Sequence, residues 1–173
     1  MRYIAVSAMG RDRVGLADDI AAWIEGASGN VEESKMAVLG GEFAVIMLIS
    51  GTESTVETLS RGAAAKAEDL GLRINAAETT APHAPAGGRP YSVESVSLDS
   101  PGIVHALTRE IRSLGISIED LETSSSAAPW TGAPVFRMKA MVILPESVPV
   151  ADFREHMERL AHERDLDIRI DPV

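Results

Sequence analysis

The chain has 173 residues, long enough for one large domain or two small ones, and its 45% apolar content can bury a core, which excludes a disordered chain. Lys and Arg number 16 against 26 Asp and Glu, a formal net charge of -10 with no basic run, and that field repels phosphate backbones and argues against direct nucleic-acid binding. Absence of cysteine excludes disulfides, thiolate metal sites and cysteine nucleophiles. The longest strongly apolar run, residues 43–49, is too short to cross a bilayer, and the amino terminus lacks the long apolar region of a signal peptide, so a soluble, cytoplasmic protein without membrane contact is expected.

In chain order, residues 3–8 are short and apolar and predict a buried strand. Leu16, Ile20, Ile24 and Ala27 recur at helical spacing and give one apolar face, with Gly29 at the helix end. Residues 31–39 predict a strand, Gly40-Gly41 a hairpin turn that uses glycine's access to positive φ, and residues 43–50 the returning strand. Phe43, Val45, Met47 and Ile49 alternate with Ala44, Ile46 and Leu48, so both faces of that strand are apolar. A two-layer sandwich covers one face only; the other requires cover from a second domain or chain. Val56, Leu59, Ala63, Ala67 and Leu70 mark a second helix, and residues 72–77 a closing strand.

The same order then recurs. Residues 91–98 predict a strand; Ile103, Leu107, Ile111 and Leu114 a helix face; residues 116–124 and 135–144 a hairpin with a longer loop; Val150, Phe153, Met157 and Leu160 a helix; residues 166–170 the last strand. Asp12 corresponds to Asp99 and Gly15 to Gly102 at a common offset of 87, which also superposes Asn30-Val31-Glu32-Glu33 on Ser117-Ile118-Glu119-Asp120. An insertion at residues 127–134 then shifts the alignment, and Phe43 corresponds to Phe136. Between the copies, residues 79–90 are rich in Ala, Pro, Gly and Thr and suit an exposed linker. The expectation is an α+β protein of two ferredoxin-like βαββαβ domains, residues 1–79 and 91–173 joined by 80–90, each an antiparallel sheet with both helices on one face.

Any chemistry belongs where the first strand of each copy meets its first helix. Glycine there permits a sharp bend and close approach of a ligand, and the helix start offers unpaired N–H groups and a partial positive charge suited to a carboxylate. Asp12 and Asp99 just before the helix fit two uses: an N-cap, or an acceptor for a ligand's ammonium group. Pro101 is likewise explained as a residue of the first helical turn.

At these residues the chain resembles the ACT domain, an amino-acid-sensing regulatory module whose signature is Asp or Asn, a residue or two, then Pro-Gly and an apolar residue between strand one and helix one. Asp99-Ser100-Pro101-Gly102-Ile103 matches it; Asp12-Arg13-Val14-Gly15-Leu16 departs by Val14. Gly10-Arg11-Asp12-Arg13, the hairpin Met36-Ala37-Val38-Leu39-Gly40-Gly41-Glu42-Phe43 and Ile46-Met47-Leu48-Ile49-Ser50-Gly51 make the whole chain similar to the glycine cleavage system transcriptional repressor family, as does Ala133-Pro134-Val135-Phe136-Arg137-Met138 in the second copy. The resemblance implies a cytoplasmic regulator rather than an enzyme, with no cofactor, no metal and no catalytic residues. It implies glycine or serine as effector, a transcriptional activator as protein partner, and a homodimer. It places ligand contacts at Gly10, Asp12, Arg13, Val14, Gly15 and Leu16, with Asn30 supplied by a neighbouring domain, and at Asp99, Pro101, Gly102 and Ile103 in the second copy, where Ser117 replaces the asparagine. Val14 and Ser117 are the features that favour the alternative, a ligand-free interaction module; Asn30 alone also suits a turn residue after Gly29.

Other polar residues have plainer uses. His83 falls in the linker, His105 on a solvent-facing helix position, and His156 and His162 are six residues apart rather than an i, i+4 metal pair. Glu32-Glu33 and Glu119-Asp120, read as ordinary strand neighbours, point to opposite faces and solvate an edge. Ser124-Ser125-Ser126 has no glycine elbow. Trp130 in the insertion is a contact anchor or packs back on its domain, and Trp23, aligned with Glu110, lies off the shared core face and suits a domain or dimer contact.

Overall fold

The computed structural model describes residues 1–82, 87–128 and 131–173, so His83 and Trp130 lie outside the described residues. The element order is β1 (Arg2–Arg11), α1 (Leu16–Gly26), β2 (Asn30–Leu39), β3 (Glu42–Gly51), α2 (Glu53–Leu70), β4 (Arg73–Thr79), β5 (Gly88–Leu98), α3 (Ile103–Ser113), β6 (Ser117–Ala127), β7 (Pro134–Pro145), α4 (Val150–Arg164) and β8 (Asp167–Pro172). The chain divides into two compact units, Met1–Ala84 and Pro85–Val173, each with one βαββαβ set. Their antiparallel sheets have the strand orders β2-β3-β1-β4 and β6-β7-β5-β8.

In the first unit α1 buries Leu16, Ile20 and Ile24, and α2 buries Val56, Leu59 and Ala63, over Ile4, Val6 and Ala8 of β1 and Phe43, Met47 and Ile49 of β3. Each of the Val, Leu, Ile, Phe and Met side chains among them, taken fully out of water, contributes about 1.5–3 kcal/mol of transfer free energy. The second core repeats the scheme with Leu107, Ile111, Phe153 and Met157 over Val93, Met138, Ala140 and Val142. Helix α2 begins with a reciprocal cap: Thr52 Oγ1 accepts from the Thr55 N–H, and Thr55 Oγ1 from the Thr52 N–H, both at 3.2 Å.

Several boundaries move from the sequence expectation for identifiable reasons. Strand β1 runs to Arg11 because its pairing with β3 continues to Arg11–Glu42. Strand β5 begins at Gly88, inside the stretch expected as linker, paired with Pro145 at a spot so close that a β-carbon at residue 88 would lie 2.6 Å from Ile143 Cγ2. Gly29 does not end α1 through positive φ: Ser28 takes the left-handed conformation (φ 56°), and the Gly29 N–H closes on the Ile24 carbonyl at 3.0 Å. Gly29 is small for packing, since a β-carbon there would meet Ile24 Cγ2 and Ile49 Cγ2 at 2.9 Å. Trp23 is also placed differently. It packs against its own core and lies across Gly62 of α2.

The hairpin Gly40-Gly41 has φ of 61° and 82°, the pair of positive values of a type I′ turn, and sets Leu39 opposite Glu42. Near the other end of β2 the register shifts between Val31 and Glu33, a bulge that makes Glu32 the extra residue; β6 shifts identically between Ile118 and Asp120, around Glu119. Glu32-Glu33 and Glu119-Asp120 are therefore not plain alternating neighbours. On the sheet face away from the helices, Ile46 is 57% exposed beside Ala44 and Leu48, whereas the matching β7 positions are Arg137, Lys139 and Met141, and Lys139 pairs with Glu94 at 3.1 Å. The two copies thus share a core and differ in their open faces.

Two substitutions separate glycine's roles. Gly29→Ala is expected to cost about 1–3 kcal/mol by overpacking, while Gly62→Ala, whose β-carbon would make ordinary contact with Trp23 at 3.5 Å in a helix interior, is expected to add about 0.5–1 kcal/mol. Urea unfolding of both variants checks the pair.

Candidate functional site

The two signature turns are built alike. Past the end of β1 the Asp12 N–H donates to the Gly41 carbonyl at 3.0 Å, and past β5 the Asp99 N–H donates to the Pro134 carbonyl at 2.9 Å. The glycines three residues on have φ 96°, ψ -8° (Gly15) and φ 91°, ψ 2° (Gly102), the values of the third residue of a type II turn. Their carbonyls accept the first helical bonds, from Asp19 and Ala106, at 2.9 Å each. The residue before glycine in such a turn favours proline without requiring it. Pro101 occupies it in the second copy and Val14, fully exposed, in the first, so Val14 keeps the same turn. Pro101 precedes the N-cap rather than lying in the first helical turn.

Neither aspartate caps its helix. The turn places glycine at the N-cap, and neither α1 nor α3 has a side-chain cap. Asp99 accepts a hydrogen bond from Ser125 Oγ of β6 at 2.7 Å. The Asp12 carboxylate makes no side-chain contact of this kind among the described residues. The N–H groups of the first helical turn therefore remain available beside an acidic residue in each copy. The first turn of α1 also carries Asp18 and Asp19, the latter covered by Arg13 Nη2 at 2.9 Å; α3 has no acid there. Leu16 and Ile103 point into their cores and can offer a ligand only backbone. Gly10 is explained by packing, since a β-carbon there would sit 2.8 Å from Leu72 Cδ2.

Asn30 is at the other end of the sheet. It pairs across β3 with Ser50, which pairs with Tyr3, eight residues along β1 from Arg11, a separation of about 26 Å. Ser117 is likewise level with Pro90, eight residues from Leu98. No single unit brings its turn and its second-strand residue together. Around Asn30 is a cluster that the sequence did not single out as a site: Asn30 Nδ2 donates to Glu32 Oε1 at 3.0 Å, and Ser50 Oγ donates to the same oxygen. These two bonds, Ser50's the stronger influence, hold the Glu32 carboxyl below its ordinary pKa. In the second copy Ser117 Oγ donates to Glu119 Oε1 at 3.0 Å. The signal was the shared Asn/Ser-x-Glu spacing at offset 87, visible only once the bulge turns the glutamate toward its neighbour.

Elsewhere, His156 Nδ1 lies 2.7 Å from Glu110 Oε1 and ties α4 to α3, while His105 and His162 are exposed. Among the described residues no group of three or more His, Asp or Glu is placed to hold a metal, and no helix is long and apolar enough to cross a membrane.

Residues 2–77 match the ACT domain family, the turn geometry of that match is repeated in the second unit, and the second unit has the same strand order. The first unit carries an ACT domain, and the second repeats its strand order and turn. The chain resembles the glycine cleavage system transcriptional repressor of Escherichia coli (strain K12), with 26% identity over 161 residues, 93% of this chain and 85% of that protein. A crystal structure of an unknown protein from Galdieria sulphuraria superposes with a TM-score of 0.86 at 31% identity, covering 99% of this chain and 98% of the other. A crystal structure of a candidate glycine cleavage system transcriptional repressor shares the fold at 19% identity and a TM-score of 0.75, over 99% of this chain and 97% of that one.

Two outcomes are expected from the turn of the first unit. Val14→Pro should be tolerated and add about 0.4–1 kcal/mol, whereas Gly15→Ala should cost about 1–2 kcal/mol because of its positive φ; thermal unfolding measures both. Glu32, with its folded pKa lowered, stabilises the fold above its unfolded pKa, and that contribution is lost as pH falls through the folded value. Carboxyl-detected NMR should show Glu32 titrating below the other exposed glutamates, and Ser50→Ala should raise its midpoint.

Proposed function

We propose that the protein is a regulator rather than an enzyme: a cytoplasmic tandem ACT sensor of a small amino acid, glycine or serine, that acts through a transcriptional activator on glycine cleavage gene expression. The observation that carries this is similarity to the E. coli repressor over 93% of the chain, spanning both ACT units. The chemistry of the turns supports it. An amino-acid zwitterion needs donors for its carboxylate and acceptors for its ammonium group. The uncapped N–H groups at the start of α1 and α3 are such donors, and the Asp12 carboxylate and the Asn30 side chain such acceptors. Because the turn and Asn30 are at opposite ends of one sheet, a ligand touching both must bridge two domains, and it then favours whichever arrangement juxtaposes them. That differential affinity is what converts occupancy into a signal for a partner protein. The exposed apolar patch around Ile46 supports a homodimer.

Thermal unfolding against the twenty amino acids tests the proposal. A ligand at a hundred times its Kd adds about 2.7 kcal/mol, a rise of roughly 5–10 °C for a chain of this length. The shift is expected for glycine, or glycine and serine, alone, and titration calorimetry should show it weakened about tenfold by Asp12→Ala and by Asn30→Ala. No shift at millimolar concentration would overturn the sensor and leave a ligand-free interaction module.

A further inference from the structure

Asparagine presents two faces to a ligand, a carbonyl that accepts and an NH2 that donates, and which one is outward decides what it recognises. At Asn30 the choice is made by a neighbour. Glu32 is the extra residue of the bulge at the start of β2, and its Oε1 receives Nδ2 of Asn30 at 3.0 Å together with the hydroxyl of Ser50, itself 1% exposed. An ionised carboxylate only accepts, so the amide must turn its NH2 inward and its Oδ1 away. Among the described residues nothing occupies that Oδ1. Ser50 anchors the carboxylate from β3, so the arrangement is held by two strands rather than by one exposed side chain.

We infer that Glu32 is a positioning residue that fixes Asn30 as a hydrogen-bond acceptor, so that this half of the site selects the ammonium group of an amino acid and rejects ligands of the same size that lack it. The inference rests on the sensor reading proposed above and deepens it by giving the ligand a polarity: ammonium toward the start of β2, carboxylate toward the helix turn. The second copy has the same sense. Ser117 commits its hydroxyl proton to Glu119 Oε1 at 3.0 Å, which leaves oxygen lone pairs as what it can offer. The bulge recurs at both glutamates, so the polarity is built into the backbone of each unit.

The chain contains two asparagines, Asn30 and Asn75, and no glutamine, so the side-chain amide region of its NMR spectrum holds two NH2 pairs. In the uniformly 15N-labelled full chain, without ligand, the Asn30 pair is expected to shift through the same acid midpoint as the Glu32 carboxyl. The Asn75 pair should not follow it, and Glu32→Ala should abolish the shift. An Asn30 pair that stays flat through the Glu32 titration overturns the inference whether or not any ligand binds. Calorimetry with glycine and with glycolate, which carries a hydroxyl in place of the ammonium, reads the consequence. The wild-type preference for glycine should fall about five- to tenfold in Glu32→Ala with glycolate affinity unchanged. An unaltered preference overturns the inference, because loss of fold alone would weaken both ligands together. If wild type binds neither, the sensor proposal and the selectivity fail together, and the amide titration still decides the orientation of Asn30.

Discussion

Everything at the signature turns depends on one backbone constraint: a residue with φ above 90° between strand and helix, at Gly15 and again at Gly102. A β-carbon in that conformation is strained, so the position selects glycine. The same constraint determines the chemistry around it. By placing glycine at the N-cap, the turn denies the helix the side-chain cap that Ser, Asp or Asn would supply, and leaves the first N–H groups without an intrachain partner from a cap. It also displaces Asp12 and Asp99 three residues upstream, where neither satisfies the helix. A conventional cap would make a more self-sufficient helix and a poorer place for an anion.

The second-strand end is governed by a different device, the bulge. On an unbulged strand adjacent side chains face opposite ways. One extra residue on β2 and on β6 instead lets Glu32 receive Asn30 and Glu119 receive Ser117, each two positions earlier in sequence. The bulges sit at the edges of the sheets, where a distorted strand also discourages unwanted pairing. One local irregularity thus serves both the edge and the orientation of the polar residue that the edge presents.

How much of this was legible in the sequence follows from what each feature does to burial. Leu16, Ile20 and Ile24 had to repeat at helical spacing because they enter a core, and Gly40-Gly41 had to be a tight turn because two positive φ values in succession exclude most other residues. The offset of 87 made the fold legible twice. Strand β2, by contrast, is exposed along its whole length, so nothing in its pattern of polarity is forced and a bulge leaves no trace in it. The reasons for Gly10, Gly29 and Gly88 were hidden for the converse cause: each is small because of a neighbour distant in sequence, Leu72, Ile49 and Ile143. Trp23 was misplaced because alignment with Glu110 compares positions and not partners; the first copy has Gly62 beneath it. At the site, the turn residues were readable as a group, while Glu32 was not, since its role exists only after the register shift.

The two copies show which parts of the architecture are held in common by packing and which are free to diverge. Their cores, turns and bulges correspond, but Ile46 of one open face is replaced by Lys139 on the other, and among the described residues the partner that Asp99 has in Ser125 has no counterpart at Asp12. Residues facing the helices are bound to each other by close packing and resist independent change. Those on the open face and at the turn answer only to what they meet outside the unit. A duplicated unit can therefore keep one fold while its two turns diverge: among the described residues Asp12 has no side-chain hydrogen bond and its helix start carries Asp18 and the Arg13-covered Asp19, while Asp99 is held by Ser125 and its helix start carries no acid. The first helix start thus sets two acids against Arg13, whereas the second presents its dipole with no acid on it.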